Sequence, residues 1–538
     1  MNLTNQNTHT DRTIIIGTRG SKLALWQADH IKDRLAAIGV RSELKIIKTQ
    51  GDIVQHLRLD KLEGKGFFTK ELEEELLRGD IDLAVHSHKD LPTQHPEGLI
   101  IAAVSEREDP SELLIIHKDR VDVKQRLSLR ENALVGTSSN RRKAQFLALR
   151  PDLEFADLRG NVITRVDKLR QRQYDAIVLA KAGISRIGMD LDDFHVVEIS
   201  PVEVVPAPAQ GVLAVQIREV DTELKQILSA IHDEATAEEI AVERRVLSLF
   251  EAGCHAPLGC YCRRSADGGF EVWTSKAELS DEFPDRYYAY SETSGGLAER
   301  IAQHYQLNKT HPKKVFISRE VSETSYFARA MAKHGTVVDG RSLIRTTALP
   351  MEVDSDTFND VDWVFFTSRN SVIHFFEQAP ALPEGIQFAV IGRGSEEQLR
   401  QYGFTPDFSG ADHGIDMEKV AATFGALADG ATVLIPRAVD TLGTMRRSMT
   451  AGTKVIDVPV YKTDLQSDAV PSDAEVLIFT SPSNIQAYFA NNDLAAGQRV
   501  ICIGHASGRE MESRGHVFVL PATPDEIGLA EAVFGLNF

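Results

Sequence analysis

The stretch "KGFFTKELEEELLRGDIDLAVHSHKDLPT" ends an alternating apolar run, Ile81, Leu83 and Val85, in His86, Ser87, His88, Lys89 and Asp90, before Pro92. Open α/β sheets hold ligands outside the carboxyl ends of their strands. A carboxylate beside an ammonium there suits acid–base work or the stabilisation of a developing cation, and equally a helix cap or loop ion pair. A second chemical cluster is "FEAGCHAPLGCYC", which places Cys254, Cys260 and Cys262 within nine positions, the fourth cysteine being Cys502. A metal site, a disulfide, a reactive thiol and a packed core are all open to it. Its C-x5-C-x-C spacing lacks the close cysteine pairing of zinc sites, and no metal is expected.

Arginine is the third signal. From Val135 to Arg186 eleven Lys or Arg stand against five Asp or Glu, a net +6 inside a chain of net charge -18. Lys168, Arg170 and Arg172 read as a solvated helix face. Arg141, Arg142, Arg159, Arg165 and Arg186 sit where elements end. The planar guanidinium grips carboxylates through two hydrogen bonds and stays charged. So many forks imply a ligand rich in carboxylate or phosphate. No aromatic residues interleave as stacking platforms for nucleic acid.

The elements that must position these groups follow an α/β pattern. Strand-like runs such as "TIIIG", "YDAIVLA", "KVFIS", "WVFFTS" and "EVLIFTS" alternate with helical stretches throughout. Two of them, "IIIGTRGSKLALWQA" and "ALVGTSSNRRKAQFL", run a strand into Gly-Thr, a small polar turn and a helix, whose free N–H groups favour anions. A polar seam, "QLNKTHPKK", follows residue 305. Beyond it "FFTSRNSVIHFF" resembles "IFTSPSNIQAYF", and "AVIGRGS" resembles "ICIGHAS". The spacing is 25 positions from Thr367 to Gly392 and 24 from Thr480 to Gly504, which reads as two similar lobes. "LIRTTALP" and "VIDVPVYKTD" are the expected links between them.

At 538 residues the chain has room for several domains. Its acidity argues against a general nucleic-acid or anionic-membrane binder. The polar start "MNLTNQNTHTDR" is no signal peptide, and no apolar run nears the roughly 18 residues that span a membrane. A cytoplasmic, monomeric protein with reduced thiols is expected.

In order along residues 12 to about 310, "GTRGSKLALWQA", "GKGFFTKELE", "DLAVHSHKDLPT", "EREDP", "VGTSSNRRKAQ", "LRGNVITR", "PAPAQG" and "ERRVLSLFEAGCHAPLG" resemble the porphobilinogen deaminase family. The "FTS" repeats, the "VPVYKT" link and the "IGHAS" turn are similar to uroporphyrinogen-III synthase. The chain resembles a fusion of the two. The resemblance implies a covalent dipyrromethane cofactor held by Cys254 through a thioether. It implies Asp90 as the catalytic carboxylate. Cofactor contacts fall to Lys89, Asp90, Arg141, Arg142, Arg159, Ser138 and Ser139. Substrate contacts fall to Arg19, Ser21, Arg159, Arg165 and Arg186, with Lys61, Lys65 and Phe68 on a covering loop. In the second half it implies Tyr461 as an acid and Thr480, Ser481 and Ser507 as substrate contacts. Porphobilinogen carries two carboxylates, which accounts for an arginine cluster in an acidic chain.

The fold expected is two periplasmic-binding-protein-like α/β domains and a small α+β domain, then a two-lobed α/β half. The domain bounds expected are 12–109 plus 207–228, 112–203 and 232–308, then 313–345 plus 462–538 and 350–456. "PAPAQG" is the expected return hinge. Two rival readings stand beside this one. One is an anion-binding module without a cysteine adduct. The other is a deaminase whose second half only binds product.

Overall fold

The computed structural model describes residues 12–49, 69–250, 256–307, 310–353, 355–413, 417–439, 444–466 and 471–536. Lys61, Lys65, Phe68 and Cys254 lie outside them. The chain divides into two compact units, Met1–Val121 with Leu129–Leu307, and Asp122–Ser128 with Asn308–Phe538. Each is a mixture of helices and sheets.

Among the described residues the first unit holds three sheets. In one, the order is Ser42–Ile46, Ile14–Thr18, Leu83–Ser87, Leu213–Arg218 and Leu99–Val104. Leu213–Arg218 runs antiparallel to both its neighbours. The apolar residues of Ile14–Thr18 and Leu83–Ser87 pack with Ala28, Ile31 and Leu35 of helix Lys22–Ala37. A second sheet is ordered Glu154–Ala156, Leu134–Gly136, Ala176–Ala180, Glu112–His117 and Phe194–Ile199. The third is an antiparallel meander of Leu258–Arg264, Phe270–Lys276 and Asp285–Ser291. Helices Glu234–Leu249 and Leu297–Gln306 cover it.

Small polar residues set the helix starts, as their capping chemistry requires. Ser21 accepts a bond from Ala24 N (3.2 Å), Ser139 from Arg142 N (3.4 Å) and Asn161 from Thr164 N (2.9 Å). Three strand ends thereby lead into capped helices on the "GTRGS", "GTSSN" and "LRGN" motifs.

The second unit carries a four-stranded parallel sheet, Val337–Gly340, Lys314–Ile317, Val476–Phe479 and Arg499–Cys502. Its second sheet has six strands: Ile344–Ala348, Lys454–Leu465, Thr432–Ala438, Trp363–Phe366, Gln387–Val390 and Phe408–Ser409. The duplicated motifs are duplicated in conformation. Ser368 and Ser481 cap their helices at φ/ψ of -161/161° and -160/158°, each accepting a bond from the N–H three residues on. Gly392 and Gly504 open the following helices from extended backbone. The two stretches read as links also pair with each other, antiparallel from Ile344↔Leu465 to Ala348↔Tyr461. Their alternating β-branched residues make them strands as well as connections.

Candidate active site

The central feature of the first unit is the end of strand Leu83–Ser87. His88, Lys89 and Asp90 form one 3-10 turn there. Asp90 is exposed, whereas Lys89 is half-buried and donates from Nζ to Gln210 Oε1 (3.1 Å). Burial lowers the Lys89 pKa to about 8 against the opposing pull of Asp90. Asp90 also acts on Arg165, whose pKa falls to about 10 through burial and the nearby cations Arg142 and Arg159. The five groups therefore share one electrostatic environment. His88 is buried too, and burial with Arg244, His95 and His86 nearby lowers its pKa to about 3. It is a neutral packing residue at working pH.

One carboxylate the sequence did not single out organises the arginines. Glu112, 0% exposed, accepts from Arg141 Nη2 on Oε1 and from Arg142 Nη2 on Oε2, each at 2.7 Å. The two arginines also donate to the carbonyls of Val205 (2.8 Å) and Val178 (3.0 Å). Those guanidiniums hold the Glu112 pKa at about 2 despite burial. Two cations on one anion leave a surplus positive charge, and Arg142 Nε is buried without a partner. Arg165 donates from Nε to Gly160 O (2.8 Å). Arg159 is half-buried, with no side-chain partner among the described residues.

Arg186 lies apart from this set. It donates to Gly211 O (2.5 Å) and its guanidinium lies 5.6 Å from the Trp26 ring centre. Arg19 is half-buried at the end of strand Ile14–Thr18, next to the Ser21 cap. Ser138 Oγ bridges to Leu158, donating to its carbonyl (3.0 Å) and accepting from its N–H (3.1 Å). That pair of bonds sets the "GTSSN" and "LRGN" turns side by side.

The loop "PAPAQG" is built around another buried acid, Glu243. It accepts from Arg107 Nη1 (2.7 Å), Ala209 N (2.6 Å) and Cys262 N (2.7 Å). Arg244, the next residue, donates to Leu91 O (2.8 Å), just past Asp90. Helix Glu234–Leu249 thereby ties the loop to the site. Cys260 and Cys262 are buried in the meander core, where burial pushes both thiols up. Cys502 is buried in the other unit, its thiol pushed up to about 12. These thiols are packing residues, not nucleophiles. Among the described residues, no group of three or more His, Cys, Asp or Glu is placed to hold a metal ion.

In the second unit Tyr461 is buried and its hydroxyl hydrogen-bonds Ser368 Oγ (3.1 Å), the helix-capping serine of the first "FTS". Burial raises the Tyr461 pKa, so the phenol stays protonated. His374 packs on the same ring at 5.2 Å between centres and bonds Thr346 Oγ1 (2.9 Å). Thr480 and Ser481 belong to the other sheet. Thr480 donates to Ser318 O (3.1 Å), and Ser481 caps helix Pro482–Phe489. Ser507 is buried inside helix His505–Ser513.

The donor set at Asp90 fits a ligand with many carboxylates and pyrrole N–H groups. It offers an exposed carboxylate as acceptor and, nearby, Lys89, Arg142, Arg159 and Arg165 as cations. Sequence reading alone found the cations and missed Glu112, Gln210 and Glu243. The signal for Glu112 was its place in "EREDPSE", one residue into a strand whose neighbours are apolar.

Residues 14–226 match the family model of the porphobilinogen deaminase, dipyromethane cofactor binding domain, and residues 325–531 that of uroporphyrinogen-III synthase HemD. A porphobilinogen deaminase of Nitratidesulfovibrio vulgaris is 44% identical over 273 residues, 50% of this chain and 84% of the relative. One from Fusobacterium nucleatum is 44% identical over 262 residues, 48% of this chain and 85% of the relative. A uroporphyrinogen-III synthetase structure from Helicobacter pylori aligns with 41% of this chain and 98% of its own, at 17% identity and a TM-score of 0.31. The chain belongs to the porphobilinogen deaminase family, with a uroporphyrinogen-III synthase domain joined behind it.

Proposed function

We propose that the chain carries out two consecutive steps of tetrapyrrole synthesis. The first half condenses four porphobilinogen molecules, with loss of ammonia, into hydroxymethylbilane. The second closes that product, with inversion of the last ring, to uroporphyrinogen III. The observation that carries the reading is the cationic site around Asp90 inside a region that matches a dipyrromethane-binding family.

In this reading Asp90 accepts hydrogen bonds from pyrrole N–H groups and stabilises the positive charge that develops as ammonia leaves. Its exposure lets it meet substrate. Lys89, Arg159 and Arg165 hold acetate and propionate groups beside it, and Arg19, Ser21 and Arg186 hold those further out. Arg141 and Arg142, steadied by Glu112, serve the cofactor with Ser138 and Ser139. The covalent dipyrromethane supplies the pyrrole end to which the first substrate ring is joined. Cys254 holds it, since a thiolate is the natural trap for the electrophile that porphobilinogen becomes on losing ammonia. Lys61, Lys65 and Phe68, outside the described residues, are further substrate contacts in this reading.

In the second half the buried Tyr461 hydroxyl, oriented by Ser368, assists departure of the substrate hydroxyl. Thr480 and Ser481, just before helix Pro482–Phe489, meet the substrate, and Ser507, buried in helix His505–Ser513, supports the "IGHAS" turn. The synthase itself gains mainly from holding one conformer of a flexible chain.

Intact-mass measurement tests the cofactor assignment. The active protein is expected to weigh one dipyrromethane more than its sequence, and Cys254→Ser to lose that increment. An active protein at the mass of the bare chain contradicts it.

A further inference from the structure

Trp26 and His30 stand four positions apart on helix Lys22–Ala37 and therefore share one face of it. Their rings stack at 5.2 Å between centres, with 11° between the planes. Helix Lys181–Ile187 packs against the same helix and carries Arg186, whose guanidinium carbon lies over the Trp26 ring at 5.6 Å. The backbone on both sides of Trp26 is pinned. Thr18 Oγ1 donates to Ala24 O (2.9 Å), and Gln27 Nε2 donates to Oγ of Ser87 (2.8 Å), the residue that ends the strand before Asp90.

Arg186 is only 9% exposed, yet among the described residues it forms no ion pair. Of the five N–H groups a guanidinium carries, one is bonded, from Nη2 to Gly211 O (2.5 Å). That carbonyl also accepts from Glu108 N (3.1 Å), and its residue sits at φ +91° against Glu108 O, so the anchor point is rigid. Burial lowers the Arg186 pKa to about 10 against the pull of Glu108. A covered cation without a carboxylate on it is costly. A carboxylate in the place of Trp26 would relieve that cost, but it would neutralise the charge and occupy the N–H groups. An indole face attracts a cation through its quadrupole and does neither.

We propose that Trp26 is a positioning residue of the deaminase site, whose indole face, steadied by the stacked His30, sets the plane of the Arg186 guanidinium and leaves its charge and N–H groups to a substrate carboxylate. The last clause rests on the reading of Arg186 as a substrate contact. Gly211 O fixes one nitrogen and Trp26 fixes the plane, which together orient a fork that needs both to meet a carboxylate through two bonds. His30 adds a rigid neighbour without adding charge, because burial, with Arg34 and Arg186 nearby, lowers its pKa.

The test uses the full chain as isolated, with the cofactor load of each variant checked by intact mass. Trp26→Leu keeps an apolar side chain and removes the π face, whereas Trp26→Phe keeps a smaller face. Trp26→Leu should raise the KM for porphobilinogen roughly three- to tenfold with a smaller change in kcat, and Trp26→Phe should recover part of that loss. A packing role alone would lower the melting temperature in both variants and leave KM unmoved. On top of Arg186→Leu, Trp26→Leu should add little, because the group it positions is gone. An unchanged KM in Trp26→Leu, equal losses in the Leu and Phe variants, or a fully additive loss in the double variant overturns the assignment.

A second arm needs no turnover. The chain has three tryptophans, Trp26, Trp273 and Trp363, so subtracting the emission of Trp26→Phe from that of the parent isolates Trp26. Arg186→Leu should shift this difference spectrum, and an unshifted spectrum overturns the pairing. Failure of the unmutated chain to consume porphobilinogen counts against the deaminase reading, and the emission result then decides alone whether Trp26 holds Arg186.

Discussion

At the scale of single residues, the account turns on Asp90. It is exposed at a strand end, and among the described residues its side chain makes no hydrogen bond or ion pair, which suits the role proposed for its charge. Asp90→Asn keeps the shape and removes the charge. Turnover of porphobilinogen should fall on the order of a hundredfold or more, with little change in melting temperature. Near-normal turnover contradicts the assignment. Lys89 gives a pH test. Its pKa of about 8 lies below the ordinary lysine value because of burial. The folded chain then binds fewer protons than the unfolded chain between pH 8 and the ordinary lysine range. Its stability from this group therefore rises with pH across that window. Carboxylate binding goes the other way and weakens as Lys89 loses its proton. The basic limb of kcat/KM, which reports the free enzyme, should therefore lie near 8. In Lys89→Arg the limb should move to higher pH. An unmoved limb removes Lys89 from substrate binding.

The placement of these two residues was legible because a strand end is a local pattern, readable from a few alternating positions. Glu112 was not. Its partners stand 29 and 30 positions away, brought to it by sheet order. Its place at the start of an apolar strand hinted at burial, but nothing local showed that it clamps two arginines. The loop "AGCHA" that carries Cys254 was legible as a motif, whereas its geometry lies outside the described residues.

At the scale of elements, the duplicated "FTS" and "IG" motifs proved to be helix starts with matching backbone, Ser368 with Ser481 and Gly392 with Gly504. Repetition was readable because capping needs a serine at one defined position. The antiparallel pairing of Ile344–Ala348 with Lys454–Leu465 was not, since more than a hundred residues separate the strands. Tyr461 lies on that pair. Tyr461→Phe deletes a hydroxyl bonded to Ser368 and leaves the buried ring. Ring closure should slow while thermal stability shifts by about 1 kcal/mol or less. A rate equal to the parent's would move the catalytic weight to conformer binding.

Gly211 tests the loop beside the Asp90 site. Its φ is +91° and an added Cβ would meet Glu108 O at 2.1 Å. Gly211→Ala should destabilise the first unit by roughly 2 kcal/mol or more, seen as a lower denaturant midpoint. A midpoint equal to the parent's would mean that the loop relaxes freely.

At the scale of the whole molecule, the chain is acidic overall, with its positive charge concentrated where a carboxylate-rich ligand would bind. Among the described residues no helix is long and apolar enough to cross a membrane. The central claim is that one chain performs both condensation and directed ring closure. Free hydroxymethylbilane closes unaided to the symmetric type I macrocycle, and only an enzyme that inverts the last ring gives type III. The direct measurement is isomer analysis of the uroporphyrinogen formed by the full-length chain from porphobilinogen alone. Mainly isomer III is the result expected. Consumption of porphobilinogen with only isomer I as product would contradict the claim and reduce the second half to a binding module.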